Sequence, residues 1–134
     1  TVCTLFKVQL LSGIHDFSSD TIKLALFQST ADLGASTTVY SSTGESSGTG
    51  YTAGGANLTV IDPVSTGTTA IVDFSDLTFS TVSLTARGAL VYNSTKGNKA
   101  ICVLDFGSDR IRVAADLVVT FPSADAVNAI IRIA

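Results

Sequence analysis

From residue 21 onward, apolar and polar residues alternate with a period of two, the mark of strands with one buried face. Ile22, Leu24 and Leu26 alternate with Thr21, Lys23 and Ala25, and Ala70, Val72 and Phe74 alternate with Ile71 and Asp73. Ala100, Cys102, Leu104 and Phe106 share one face. The longest pattern runs through Ile111, Val113, Ala115, Leu117, Val119 and Phe121, opposed by Arg112, Ala114, Asp116, Val118 and Thr120. Val127, Ala129, Ile131 and Ile133 form the last one. Weaker strands are expected over 57–62, 77–85 and 88–93. Within 77–85 the apolar phase slips by one between Phe79 and Val82, which predicts a bulge or bend at Ser80 and Thr81.

One stretch departs from this period. In Thr4–Leu11 the residues Leu5, Phe6, Val8, Leu10 and Leu11 give a helix with a broad apolar face, and Gly13 is placed to supply a left-handed C-terminal cap. So short a helix needs packing to survive. Turn signals divide the strands: Asp62-Pro63 with Gly67, Lys96-Gly97-Asn98, Gly107-Ser108-Asp109 and Pro122-Ser123. About eight short strands without intervening helices predict an all-β fold, an antiparallel, jelly-roll-like β-sandwich with a short N-terminal helix or arm. Residues 1–134 read as a single domain, with 1–14 a candidate docking segment. The polar, glycine-rich segment 29–50 is the one long loop, and such loops are usually functional or mobile.

Charge narrows the function classes. Charged residues make up 14% of the chain, against about 25% in typical soluble domains. A surface so poor in charge is hydroxyl-rich or covered by other subunits. The net charge is −3 and the bases are scattered, so nucleic acid is not an expected partner. No run approaches the ~18 apolar residues of a membrane span. The N-terminal TVCTLFKVQLL lacks the basic start and cleavage site of a signal peptide, and a chain starting at Thr1 fits removal of an initiator Met. Synthesis in a cytosol without export is therefore expected. Cys3 and Cys102 allow one bridge at most, and two small buried apolar side chains are the simpler reading.

The polar positions are hydroxyls and glycines rather than titratable groups. Residues 41–55, SSTGESSGTGYTAGG, contain one acid, Glu45, and no base. The glycines at 48, 50, 54 and 55 do not make a phosphate loop, because Ala56 and a strand follow where a Lys and a helix are required. Asp105-Phe106-Gly107 has none of the companion motifs of a kinase. His15 is the only histidine, and Asp16 and Asp20 beside it are expected to raise its pKa. Asp73 with Asp76, and Asp105 with Asp109, offer oxygens to a hard cation, but two acids per turn are also ordinary turn formers. The same four are the only carboxylates suggesting a glycosidase, and each lies beside a predicted turn. Asn57-Leu58-Thr59 and Asn93-Ser94-Thr95 match a glycosylation pattern that cytosolic synthesis would leave unused. Tyr40, Tyr51 and Tyr92 suit either sugar stacking or packing with the hydroxyl bonded, and packing is the commoner use. No catalytic residue, cofactor-binding residue or metal ligand is assigned. No cofactor is expected, and the chain does not read as an enzyme.

The segments GIHDF (13–17), TIKLALF (21–27), GTGYTAGG (48–55), ARGALVYN (86–93), VLDFGSD (103–109) and the stretch 121–133 carry a resemblance over nearly the whole chain. The chain resembles small virion proteins of tailed bacteriophages, especially the cyanophage-type head decoration, or cement, proteins. That resemblance implies a β-sandwich homotrimer on the outer surface of the phage head, with the major capsid protein and its own copies as partners. It further implies virion localisation and a structural, shell-stabilising role. The second expectation is a receptor- or glycan-binding module of a tailspike or fibre, motivated by Tyr51 and the loop 41–55, with a host surface glycan as partner. Residues 1–14, whose apolar face lies outside the strand pattern, are expected to pack at the trimer base or against the shell.

Overall fold

The computed structural model describes residues 1–134. In chain order it contains α1 (Thr4–Leu11), β1 (Ile22–Phe27), β2 (Ala56–Asn57), β3 (Val60–Thr66), β4 (Thr69–Phe74), β5 (Leu77–Asn93), β6 (Lys99–Val119) and β7 (Ile131–Ile133). They form two antiparallel sheets, ordered β2-β1-β5-β6 and β3-β4-β7. This is the all-β sandwich with a short N-terminal helix that the periodicity predicts.

There are seven strands rather than eight, because two pairs of expected strands merge while the one expected over 57–62 divides into β2 and the start of β3. The segments 77–85 and 88–93 are one strand, β5, and 100–106 joins 111–119 in β6. Gly107 takes a left-handed φ of 79°, yet Phe106, Gly107, Ser108 and Asp109 form a wide bulge rather than a turn. They oppose only Arg87, between the pairs Gly88↔Asp105 and Ala86↔Arg110. Asp62-Pro63 likewise lies inside β3, where the register shifts between Ile61 and Val64. Proline has no N–H to give the ladder, so the pairing steps past it. In the opposite direction, the strand expected from Val127 shrinks to β7. The Asp125 carboxylate accepts hydrogen bonds from the backbone N–H of Val127 (2.9 Å) and Asn128 (2.7 Å), which holds residues 125–129 in a turn.

The bulge predicted at Ser80 and Thr81 is present: the register shifts between Phe79 and Val82, and Thr81 has φ 50°. A second bulge at Ala114 (φ 48°) corrects the reading of β6. Ala115 pairs with Val82 and Arg112 with Leu84, so two residues, Val113 and Ala114, oppose Ser83 alone. The extra residue reverses the faces. Arg112 takes the side of Ala115 and Leu117, and Ile111 and Val113 turn to solvent.

Helix α1 ends as its sequence predicts. Gly13 has φ 74°, its N–H bonds Leu10 O (3.2 Å), and Ile14 N–H reaches back to Gln9 O (3.0 Å), the two bonds of a Schellman cap. Its apolar face is less buried than the sequence suggests. Phe6 is buried, whereas Leu5, Val8 and Leu11 are exposed. Between the sheets, Phe17, Phe74 and Phe121 link in sequence, with ring centroids 6.4 and 5.5 Å apart. They belong to one continuous core of 27 buried residues.

Candidate functional site

Two polar clusters stand out, one in the long loop and one beside the helix. The first centres on Glu45. Its Oε1 accepts from the Tyr40 hydroxyl (2.5 Å). Its Oε2 accepts from the Tyr51 hydroxyl (2.6 Å) and from Gly54 N–H (2.8 Å). The Tyr51 oxygen in turn accepts from Leu26 N–H (2.9 Å), and the Tyr92 hydroxyl donates to Gly54 O (2.5 Å). Burial, with the adjacent Glu45 carboxylate second, pushes the Tyr40 and Tyr51 phenols well above the ordinary tyrosine range. The rings are equally engaged. Tyr40 stacks on Tyr92 at 4.7 Å and 18°, and Tyr51 packs on Phe79 at 5.6 Å. All three tyrosines therefore pack with bonded hydroxyls.

The glycines of the same loop serve close backbone approach. A Cβ on Gly48 would lie 1.8 Å from Ser83 O, and one on Gly55 would lie 1.8 Å from Leu24 O. Thr49 forms an isolated bridge with Ser83, so the loop lies against the free edge of β5. The loop is a strap pinned by Glu45.

The second cluster is a buried chain through the only histidine. Asn93 Nδ2 donates to His15 Nδ1 (3.0 Å) and to Asp20 Oδ2 (2.8 Å). Nδ1 is thus an acceptor, which places the ring proton on Nε2, where it donates to Gln9 Oε1 (2.9 Å). Asn93 Oδ1 accepts from Lys96 N–H (3.2 Å), and Lys96 Nζ pairs with Asp20 Oδ2 at 3.0 Å. His15 is 7% exposed and its pKa is lowered, not raised as expected. Burial is the larger effect, and Lys96 and Lys99 add to it against the opposing pull of Asp20. Asp16 turns instead to its own loop, accepting from the Ser18 hydroxyl (2.5 Å) and the Ser19 hydroxyl (2.9 Å). The chain ties α1 to the β5–β6 turn. It includes no nucleophile, and none of its fully buried polar side-chain atoms lacks a partner.

No family model matches this chain, and neither a curated protein nor a solved structure does.

The remaining candidates are dispersed. Asp73 is fully buried in β4: Oδ1 accepts from Phe74 N–H (2.8 Å), and Oδ2 makes no well-aligned hydrogen bond, although the Ile130 N–H acts on the carboxyl. Burial raises its pKa. Asp76 Oδ1 accepts from Phe121 N–H (2.8 Å), and Asp105 Oδ1 from Gly107 N–H (2.8 Å). Asp109 faces Arg87 at 3.5 Å. No three His, Cys, Asp or Glu side chains lie together. Cys3 and Cys102 are buried free thiols. Val2 bridges Cys102, which sets the adjacent Cys3 on the other face of that pairing. Burial pushes the Cys102 thiol up to about 12. No helix is long and apolar enough to cross a membrane.

Sequence reasoning singled out His15 and Glu45 but missed their partners. Gln9 and Asn93 are polar residues at positions the fold buries, and only long-range pairing brings them to His15. The one local signal for Glu45 is its isolation, a single acid among fourteen hydroxyl, glycine, alanine and tyrosine residues.

Proposed function

We propose that this chain is a non-enzymatic structural protein of a virion, a decoration protein that binds the outside of a phage head as a homotrimer and clamps neighbouring shell subunits. The observation that carries this reading is how the polar groups are spent. Glu45, His15, Gln9, Asn93 and the three tyrosines are consumed in holding loops to the sandwich. What stays outward is apolar surface on a weakly charged molecule, the kind of surface that subunit contacts use. The resemblance of residues 13–17, 21–27, 48–55, 86–93 and 103–109 to head decoration proteins points the same way. Trimerisation would multiply a modest single contact into firm attachment.

The deciding experiment counts copies of this chain per purified virion relative to the major shell protein. A fixed ratio, in the hundreds of copies, is expected. A handful of copies would place the protein in the tail and favour receptor binding. Absence from particles would overturn the proposal.

A further inference from the structure

Residues 5–20, which comprise most of α1 and the turn after it, are held to the sandwich by very few polar bonds. On the N-terminal side, the last main-chain bonds to the rest of the chain are Cys3 N–H to Ile101 O and Thr4 N–H to Ala35 O (2.9 Å each). The next is Ser94 N–H to Thr21 O (3.0 Å). Between these points the main-chain bonds stay inside the segment, as in Ile14 N–H to Gln9 O and Asp20 N–H to Asp16 O. The side-chain ties run to two residues, Asn93 at the end of β5 and Lys96 in the turn that follows. Everything else that holds the segment down is apolar, chiefly the buried rings of Phe6 and Phe17.

The tie through Asn93 has only one allowed polarity. Its two amide N–H groups go to His15 Nδ1 (3.0 Å) and Asp20 Oδ2 (2.8 Å), and its Oδ1 accepts from Lys96 N–H (3.2 Å). Turning the amide over would set its oxygen against the Asp20 carboxylate and its N–H groups against the Lys96 N–H. Nδ1 of His15 must therefore accept, and the ring proton sits on Nε2, facing Gln9 Oε1. A second proton, on Nδ1, would point at an N–H group. The charges that act on the ring are Asp20, Lys96 and Lys99. Asp16 spends its oxygens on the Ser18 and Ser19 hydroxyls. From the remaining elements the ring meets apolar groups: Phe6 of α1 at 4.8 Å and, around a shared cavity, Pro63, Val72 and Ile131.

We infer that residues 5–20 are an acid-operated flap: proton uptake on His15 breaks its bond to Asn93, and the segment lifts away while both sheets stay folded. Burial of Phe6 and Phe17 keeps the flap closed at neutral pH. An open flap leaves the ring in water, where it protonates near the ordinary histidine value, about 6.5. The closed ring, buried and beside two lysines, protonates at lower pH. The closed state is therefore fully favoured above about pH 6.5. Below it, the balance moves toward open by up to about tenfold per pH unit, until the closed ring also protonates. Opening withdraws Phe17 from Phe74, 6.4 Å away. It also joins the groove between α1 and β7 to the cavity beside His15, since Leu10, Ile131 and Ile133 wall both. The device converts mild acid into exposed apolar surface. It does not depend on the decoration role.

The test is amide hydrogen exchange of the intact chain between pH 7.5 and 5, corrected for the intrinsic pH dependence of exchange. This range stays above the titration of Asp16 and Asp20, whose pKa values are lowered. Protection of residues 7–14 should fall about tenfold as the pH drops, while residues 90–92, in the middle of β5, keep theirs. The His15 ring, followed by NMR in the same samples, should titrate over the same range. His15→Gln removes the titrating group, so protection of 7–14 should become flat across this range, whatever its level. Asn93→Asp sets an acceptor opposite Nδ1 and should abolish or reverse the trend. If a variant does not fold, the wild-type chain still decides. A protection loss confined to the flap supports the inference. Flat protection in the wild type, an equal loss in β5, or a pH trend that survives in His15→Gln would overturn it.

Discussion

At the scale of single residues, this protein uses its few titratable groups as ties, and their settings can be tested one by one. Asp73 has a raised pKa, so the folded state holds its proton more tightly than the unfolded chain. Its contribution falls as pH rises from the unfolded carboxylate value, about 3.9, through the folded one. Above that range a buried oxygen without a well-aligned hydrogen bond carries charge. Asp73→Asn should stabilise the fold by about 1 kcal/mol at pH 8, with the gain vanishing near pH 4, as followed by thermal melting. No gain at pH 8 would show that the carboxylate has a partner in solution. His15 runs the other way. Its lowered pKa means the unfolded chain takes up a proton first, so stability falls as pH drops below about 6.5. The His15 ring resonances in NMR should titrate below that value. Glu45 was legible as the lone acid of its loop, but its three donors, Tyr40, Tyr51 and Gly54, were not. Glu45→Ala should cost about 3 kcal/mol by urea denaturation, since bonds to a charged acceptor are the stronger kind. Tyr51→Phe should cost less, about 1 to 2 kcal/mol, because it leaves Leu26 N–H without its side-chain acceptor.

At the scale of elements, the strands obey their local pattern until a bulge intervenes. The helix Thr4–Leu11 and its Gly13 cap could be read directly, because capping is settled within six residues. The slip at Phe79 and Val82 was also legible, since a bulge leaves a phase error in the alternation. Ala114 left none, because apolar residues occupy both faces near it, and so Ile111 and Val113 were assigned to the wrong side. The turn expected at Gly107 became a bulge because β5 continues opposite it, and no local signal reveals what the partner strand does. The strap over β5 gives a sharp element-level prediction. Gly48→Ala would set a Cβ against Ser83 O and should destabilise by 2 kcal/mol or more, whereas Gly34→Ala, with open space around it, should be near neutral. Equal midpoints for the two in chemical denaturation would mean the strap does not press on β5.

At the scale of the whole molecule, acid should weaken the fold in two steps. His15 acts below about pH 6.5, and Asp16, Asp20 and Asp125, whose hydrogen bonds hold their pKa values down, act below about pH 4. Circular dichroism melts across pH should show both steps, and Asn93→Ala, which removes the donor facing Nδ1, should shrink the first; a single step near pH 4 would remove His15 from the account. Sequence alone determined the all-β class, the position of the helix, most strand locations and the scarcity of catalytic groups, because period, capping and composition are local properties. It also placed Glu45 and His15 among the residues of interest. Tertiary structure alone decided that Gln9 and Asn93 meet His15, that Asp73 is buried, and that Ile111 and Val113 lie outside the core. Those outcomes depend on register and sheet pairing between residues far apart in the chain, and a one-residue bulge is enough to exchange inside for outside.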